Sequence, residues 1–200
     1  MKRFQLTPLI IAAAMVCAQV ATAQNSNQAQ VQQKFVSGGT IRLHLEAGAY
    51  TIEGGDSTDI VATYTADTMD QLKHIRVIVK TSGSEAEVWV KGTPHSNFHA
   101  TIEIPRLSNL WTRLSAGDLD IKGIEGDKDV RCRAGDVNIE VAHPEDYSHR
   151  EASVLAGDID ASAFNVTKDG LWRSFKQDGP GKYRLQVHLT AGDITLRGPS

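Results

Sequence analysis

Four aspartates occupy matching places in this chain, Asp118, Asp136, Asp158 and Asp193, each preceded by Ala-Gly. Carboxylates recurring beside glycines are the material of calcium-binding β-rolls, in which neighbouring turns share one ion. Those rolls use short tandem repeats with several acidic positions. Here each repeat carries one aspartate, at intervals of 18, 22 and 35 residues. That spacing favours turn capping, in which the carboxylate accepts nearby backbone N–H groups. His95 and His99 are four apart, but Pro94 and the alternating run Ala100–Ile104 argue against a helix that would align them, and no third ligand stands nearby. No G-x-S-x-G elbow is present, and Gly38-Gly39 precedes a strand pattern instead of opening a helix, so neither a nucleophile nor a phosphate loop is indicated. No catalytic residue, metal or cofactor is expected.

Binding chemistry is better represented by the tryptophans. Trp89 lies between Val88 and Val90 and takes the outward phase of that alternation. Trp111 precedes one of the repeats, and Trp172 shares a polar stretch with Phe175. An outward indole on a flat β face can stack on a sugar or anchor a protein contact. Alternatively Trp172 and Phe175 fold back and cover the sheet. A surface glycan or a protein is the partner class these residues suit.

The elements that position these groups come from an internal repeat. Leu45–Gly54, Leu114–Gly123, Cys132–Val141, Val154–Ala163 and Leu189–Gly198 are variants of one sentence. In the third copy Cys132 and Ala134 are two apart, as are Val137, Ile139 and Val141, but the step from Ala134 to Val137 is three. Period two marks a half-buried strand, and a slip of one residue would turn the apolar side outward if the strand ran straight. A corner keeps it inside. Gly48, Gly117, Gly135, Gly157 and Gly192 sit at the slips, four of them followed by the aspartates above. The first copy has Ala49 in place of the aspartate and should form the weakest corner. A repeat this short cannot bury its own apolar face, so copies must stack. The predicted fold is all-β with very little helix: a right-handed parallel β-solenoid of short strands with AGD corners, forming a single domain. The 69 residues from Ala47 to Ala116 leave room for about three degenerate coils. Asn165–Lys182 is a polar, turn-rich insertion. The last coil should close the stack at Leu196–Pro199, where Arg197 and Pro199 discourage strand addition.

Residues 1–23 have the form of a secretory signal: Lys2-Arg3, the apolar run Leu9–Ala18, and Ala21-Thr22-Ala23 as the cleavage site. The run is too short to span a bilayer. Residues 24–34 are polar and simple, a disordered leader. The domain occupies 35–198. The formal net charge is −3, and loss of Lys2 and Arg3 makes it −5, which argues against binding nucleic acid or anionic membranes by bulk charge. Cys132 is the cysteine left after processing; its inward phase makes it a small buried hydrophobe. The expected location is the periplasm, cell surface or exterior.

The AGD-[ILV]-x-[IL] corners resemble the bacterial "putative adhesin" β-strand repeat domain, DUF4097. Phe35–Leu43 followed by Glu46-Ala47-Gly48 is similar to that family's entry strand and first corner, and Ile102–Arg106 to its strand ending in proline. The likeness spans Phe35 to Gly198. It implies an exported β-repeat protein on or near a bacterial surface and carries over no catalytic residue. The expected function is thus a non-enzymatic envelope or surface protein, adhesive through exposed faces that include Asp120, Lys122, Asn138, Glu140, Asp160, Thr195 and Arg197. Two alternatives stay open: a polysaccharide-active β-helix enzyme using groups of the insertion (Lys168, Asp169, Arg173, Lys176, Asp178), and a scaffold that self-associates through an open coil end.

Overall fold

The computed structural model describes residues 27–169 and 171–199; the signal segment and Cys17 lie outside them. Among the described residues the fold is all-β, with seventeen strands in two mixed sheets, one α-helix of six residues and two short 3-10 turns, Pro144–Asp146 and Ser162–Phe164. Its strands follow the alternation. β1 (Gln28–Lys34), β2 (Thr40–Leu45), β3 (Ala49–Gly55) and β4 (Asp59–Thr65) precede α1 (Met69–His74), which Thr68 and Gln71 close with a reciprocal capping box. β5 (Arg76–Ser82), β6 (Glu85–Lys91), β7 (His99–Pro105), β8 (Asn109–Leu114) and β9 (Leu119–Lys122) follow. Then come β10 (Lys128–Ala134), β11 (Val137–Glu140), β12 (Tyr147–Ala156) and β13 (Ile159–Ala161). β14 (Val166–Lys168), β15 (Leu171–Asp178), β16 (Tyr183–Ala191) and β17 (Ile194–Arg197) complete the chain.

The nine-stranded sheet runs β1-β4-β7-β3-β9-β11-β17-β13-β14, and the eight-stranded sheet β15-β12-β16-β10-β8-β2-β6-β5. At each repeat the chain leaves the smaller sheet and enters the larger: β2 to β3, β8 to β9, β10 to β11, β12 to β13, β16 to β17. These middle strands pair in parallel. The ends are antiparallel, β1 on β4 and β5 on β6 at one, β14 on β13 and β15 on β12 at the other. A wholly parallel stack is therefore corrected to mixed sheets, because strands running the opposite way cover the edges that a parallel stack leaves open.

The corners form a column. Gly48 N–H donates to Ala116 O, Gly117 to Ala134, Gly135 to Ala191 and Gly192 to Ala156, each at 2.8 or 2.9 Å. One residue after each aspartate position the ladder resumes, with Leu119 N–H on Asp136 O and Val137 N–H on Asp193 O. The aspartate side chains join it: Asp193 N–H donates to Asp136 Oδ1 at 3.0 Å and Asp158 N–H to Asp193 Oδ1 at 2.8 Å. Glycine is required twice over. Gly135 has φ of 118°, and a Cβ there would lie 2.1 Å from Gly117 O.

The order of the column differs from chain order. The last repeat, with Gly192, sits between those of Gly135 and Gly157. So β17 is an interior strand, and the expected open end at Leu196–Pro199 does not exist. The insertion explains the interleaving. Its β14 and β15 pair outside β13 and β12, which closes that end and leaves a gap that β16 and β17 fill. The insertion is thus two strands instead of a loop. Between Gly48 and Gly117 the expected three coils reduce to one parallel coil, β6–β7, and an antiparallel return made by β4, α1 and β5. The coil β6–β7 turns through a longer loop, 92–98; Ala49 N–H donates to Phe98 O there, where an AGD neighbour would have met an aspartate. Residues 28–34, expected to be a disordered leader, form β1 along all of β4; Val31 and Gln33 turn inward while the other glutamines stay wet, a pattern that suits an edge strand.

The core lies between the sheets. One row runs Val88, Leu43, Thr112, Val130, Val187, Ala152 across the smaller sheet, and a facing row runs Ala62, Ile102, Ile52, Ile121, Ile139, Leu196 across the larger. All twelve are buried. At about 25 cal/mol per Å² such burial is the main stabilising term, upheld by a ladder that satisfies backbone groups between coils. Cys132 is buried in this core.

Candidate functional site

The outer face of the smaller sheet gathers the aromatic and cationic side chains. His44 on β2 lies opposite Trp89 on β6 and opposite Arg113 on β8. The imidazole stacks on the Trp89 indole with centroids 5.5 Å apart and planes 9° from parallel. From the β5 side, Lys80 Nζ stands 5.2 Å from the same indole. Trp111 meets His44 at 5.1 Å, tilted, and carries the Arg113 guanidinium 3.7 Å from its ring centre. Arg113 donates through both terminal nitrogens to the Asp129 carboxylate at 3.2 Å. The result is a continuous strip, Lys80–Trp89–His44–Trp111–Arg113–Asp129. Cations over indole faces are attracted by the ring quadrupole.

This strip changes what the tryptophans offer. Trp89 and Trp111 are half-buried, and their faces are taken by Lys80, His44 and Arg113, so they are not open platforms for a sugar. Trp172 stands apart on β15, at the far end of the sheet, 79% exposed beside Leu171 at 65%. Its φ of 57° is a left-handed conformation that bulky residues rarely adopt. Phe175, from the same strand, does turn inward and is buried. The sequence singled out three tryptophans; the structure brings two together. His44 takes the outward phase of its strand, which sequence alone reads as a solvated position, but its ring packs against both indoles; Arg113, which the sequence did not single out, covers Trp111 beside it.

Next to the strip the face is basic. Arg131 lies opposite Arg113 and opposite His188, whose ring Nδ1 is 2.7 Å from Ser153 Oγ. Arg113, Ser115, Arg131, Arg133 and Thr190 line a shallow depression of about 300 Å³.

Two other places hold titratable groups. His149 bridges β12 and β15, with Nδ1 2.9 Å from Asp178 and Nε2 3.3 Å from Glu151. Glu151 also lines a depression of about 520 Å³ with Val166, Lys168, Ser174, Phe175, Lys176 and Gln177. On the outer face of the larger sheet, Asp120, Lys122, Asn138, Glu140 and Arg197 line a depression of about 260 Å³ with Thr51. Asp160 and Thr195 continue its register, and Lys122 pairs with Glu53 at 2.9 Å. The corner residues Gly48, Gly117, Gly135, Gly192 and Gly157 with Asp118, Asp136, Asp193 and Asp158 edge both sheets. Among the described residues no three His, Cys, Asp or Glu side chains converge as metal ligands.

The core hides a lysine that sequence reading passed over. Lys128 is 1% exposed, in one row with Ile41, Leu110 and Leu185. Its Nζ donates to Ile124 O at 2.8 Å, to Gly126 O at 3.4 Å and to the Tyr147 hydroxyl. Desolvation lowers its pKa to about 8, against the pull of Asp127 and Glu125. The signal was the inward phase of Lys128, Val130 and Cys132.

No family model matches the chain, and no curated protein does. Solved structures do. One described as a "putative cell adhesion protein" from Clostridium sporogenes aligns with TM-score 0.54 at 14% identity, covering 86% of this chain and all of that one. A "putative adhesin" from Parabacteroides distasonis aligns with TM-score 0.27 at 12% identity, over 86% of this chain and 71% of that one. The first likeness shows a shared fold. Among the described residues no helix is long and apolar enough to cross a membrane.

Proposed function

We propose that this chain is an exported, non-enzymatic envelope or surface protein of the adhesin-type DUF4097 class, a β-solenoid at its centre, that binds through the outer face of its smaller sheet. The observation that carries this is the Lys80–Trp89–His44–Trp111–Arg113 strip. Five side chains from four strands are ordered by mutual stacking on a flat face, above a packed core that fixes each Cα. A preordered face loses little entropy when a partner docks. The signal-like start, the repeat and the fold shared with a protein described as adhesive support the same reading. For the enzyme alternative, hydrolysis of glycosides asks for two carboxyls flanking one bond. Beside the insertion, Glu151 and Asp178 instead hold opposite nitrogens of His149.

The test is a screen of the full chain against immobilised glycans and matrix proteins, with cell fractionation beside it. The account expects a retained ligand, weakened at least about tenfold in Trp111→Ala/Arg113→Ala, and recovery of the chain outside the cytoplasm. Turnover of a polysaccharide, or a ligand whose binding that variant leaves unchanged, would contradict it.

A further inference from the structure

Resting on that surface reading, we infer that the arginine depression beside the strip is a binding site for an acidic polysaccharide, gripping sulfate or carboxylate groups along its chain. Basic side chains are arranged in a line. His44, Arg113, Arg131 and His188 occupy one cross-strand row on β2, β8, β10 and β16. Adjacent strands lie about 4.8 Å apart, so the row is about 14 Å long. Arg133 stands two residues along β10 from Arg131, on the same face.

Like charges directly opposite one another destabilise a sheet. Arg113 and Arg131 are so placed, and Asp129 serves both, bidentate to Arg113 and 3.7 Å from Arg131 Nε. Three guanidiniums line the depression; Asp129 pairs with two of them, and Asp118 and Asp136 stand at the corner end, near enough to act on the Cys132 thiol, which leaves Arg133 and the outer side of Arg131 as the groups open to an anion. The Arg133 side chain is exposed and engages no acceptor among the described residues. A guanidinium presents paired donors that match carboxylate and sulfate oxygens. The hydroxyls of Ser115 and Thr190 share the depression, and Ser153 continues the row beyond His188. Such groups suit sugar hydroxyls between the charges. A point anion would use one part of the row. An extended chain with charges recurring along one axis uses all of it, and the flat face lets it lie across the strands.

The full chain is titrated with dextran sulfate, polygalacturonate, uncharged dextran and single-stranded DNA at low and physiological salt. Expected are binding of at least one acidic glycan that weakens with salt, no binding of dextran, and a loss of at least about tenfold in Arg131→Gln/Arg133→Gln. Those two side chains are exposed, so the variant should keep the melting temperature. Arg197→Gln, on the opposite face, should bind as the parent does. Equal affinity for DNA, equal binding by the arginine double variant, or no acidic glycan bound at low salt would overturn the site. If the site fails while a ligand found in the wider screen still depends on Trp111 and Arg113, the surface reading survives it.

Discussion

At the scale of single residues, two buried polar side chains make measurable claims. Lys128 titrates near 8 in the fold and near 10.5 when unfolded. Below about pH 8 both states hold the proton and the fold bears the desolvation cost. Between those values the unfolded chain binds more protons, so stability should rise with pH, by about 3 kcal/mol at most. Burial raises the pKa of Tyr50, Tyr64 and Tyr147. Above about pH 10 the unfolded chain ionises first, and stability should fall. Denaturant melts across pH 7–11 should therefore peak between about 9 and 10, and Lys128→Met should remove the rising limb. Thr112 is the opposite case. It fills an apolar row, and its buried hydroxyl has no partner among the described residues. Thr112→Val keeps the shape and should stabilise by about 1 kcal/mol; a lower melting temperature would show that the hydroxyl is engaged. Sequence made Cys132 legible as a core residue because its type agreed with its phase. Lys128 and Thr112 share inward phases, but their types argue for surface, and only the partners of Nζ explain the lysine.

At the scale of elements, the corner is the unit. Gly135→Ala must bring a Cβ to 2.1 Å from Gly117 O at a φ that side chains avoid. It should cost about 3 kcal/mol or more. Gly83 is the control: its φ is 58°, but nothing lies within 4 Å of a Cβ there, so Gly83→Ala should cost about 1 kcal/mol. Equal losses would mean that the glycine column is not in close contact. The AGD corners were legible because a one-residue slip in a period of two has few other solutions. The antiparallel strands were not. β1 is mostly glutamine, and β14–β15 carry turn signals and an exposed Trp172, so their strand character comes from the edges they cover. Replacing Asn165–Lys182 with a Gly-Ser linker as long as the 123–127 loop should free the edges of β12 and β13. Light scattering should then show mass rising with concentration relative to the intact chain, whereas no change would deny the insertion a capping role.

For the whole molecule, local pattern identified the layers and could not order them. The five corners are nearly identical, so residue types give no preference for Gly157 or Gly192 beside Gly135. That choice is made by the insertion, which occupies the outer edges and leaves β16–β17 an interior slot. The order matters for function because it brings His188 beside Arg131 and sets the length of the basic row. It is tested by disulfide trapping on the larger sheet, where Asn138 lies opposite Thr195 and Thr195 opposite Asp160. Adjacent parallel strands place Cα atoms within disulfide reach, and strands once removed do not. In a background with Cys17 and Cys132 replaced, Asn138→Cys/Thr195→Cys and Thr195→Cys/Asp160→Cys should oxidise to a crosslink while Asn138→Cys/Asp160→Cys stays reduced. A crosslink in that third variant, with none in the first, would mean that the coils stack in chain order and that the interleaved column is wrong.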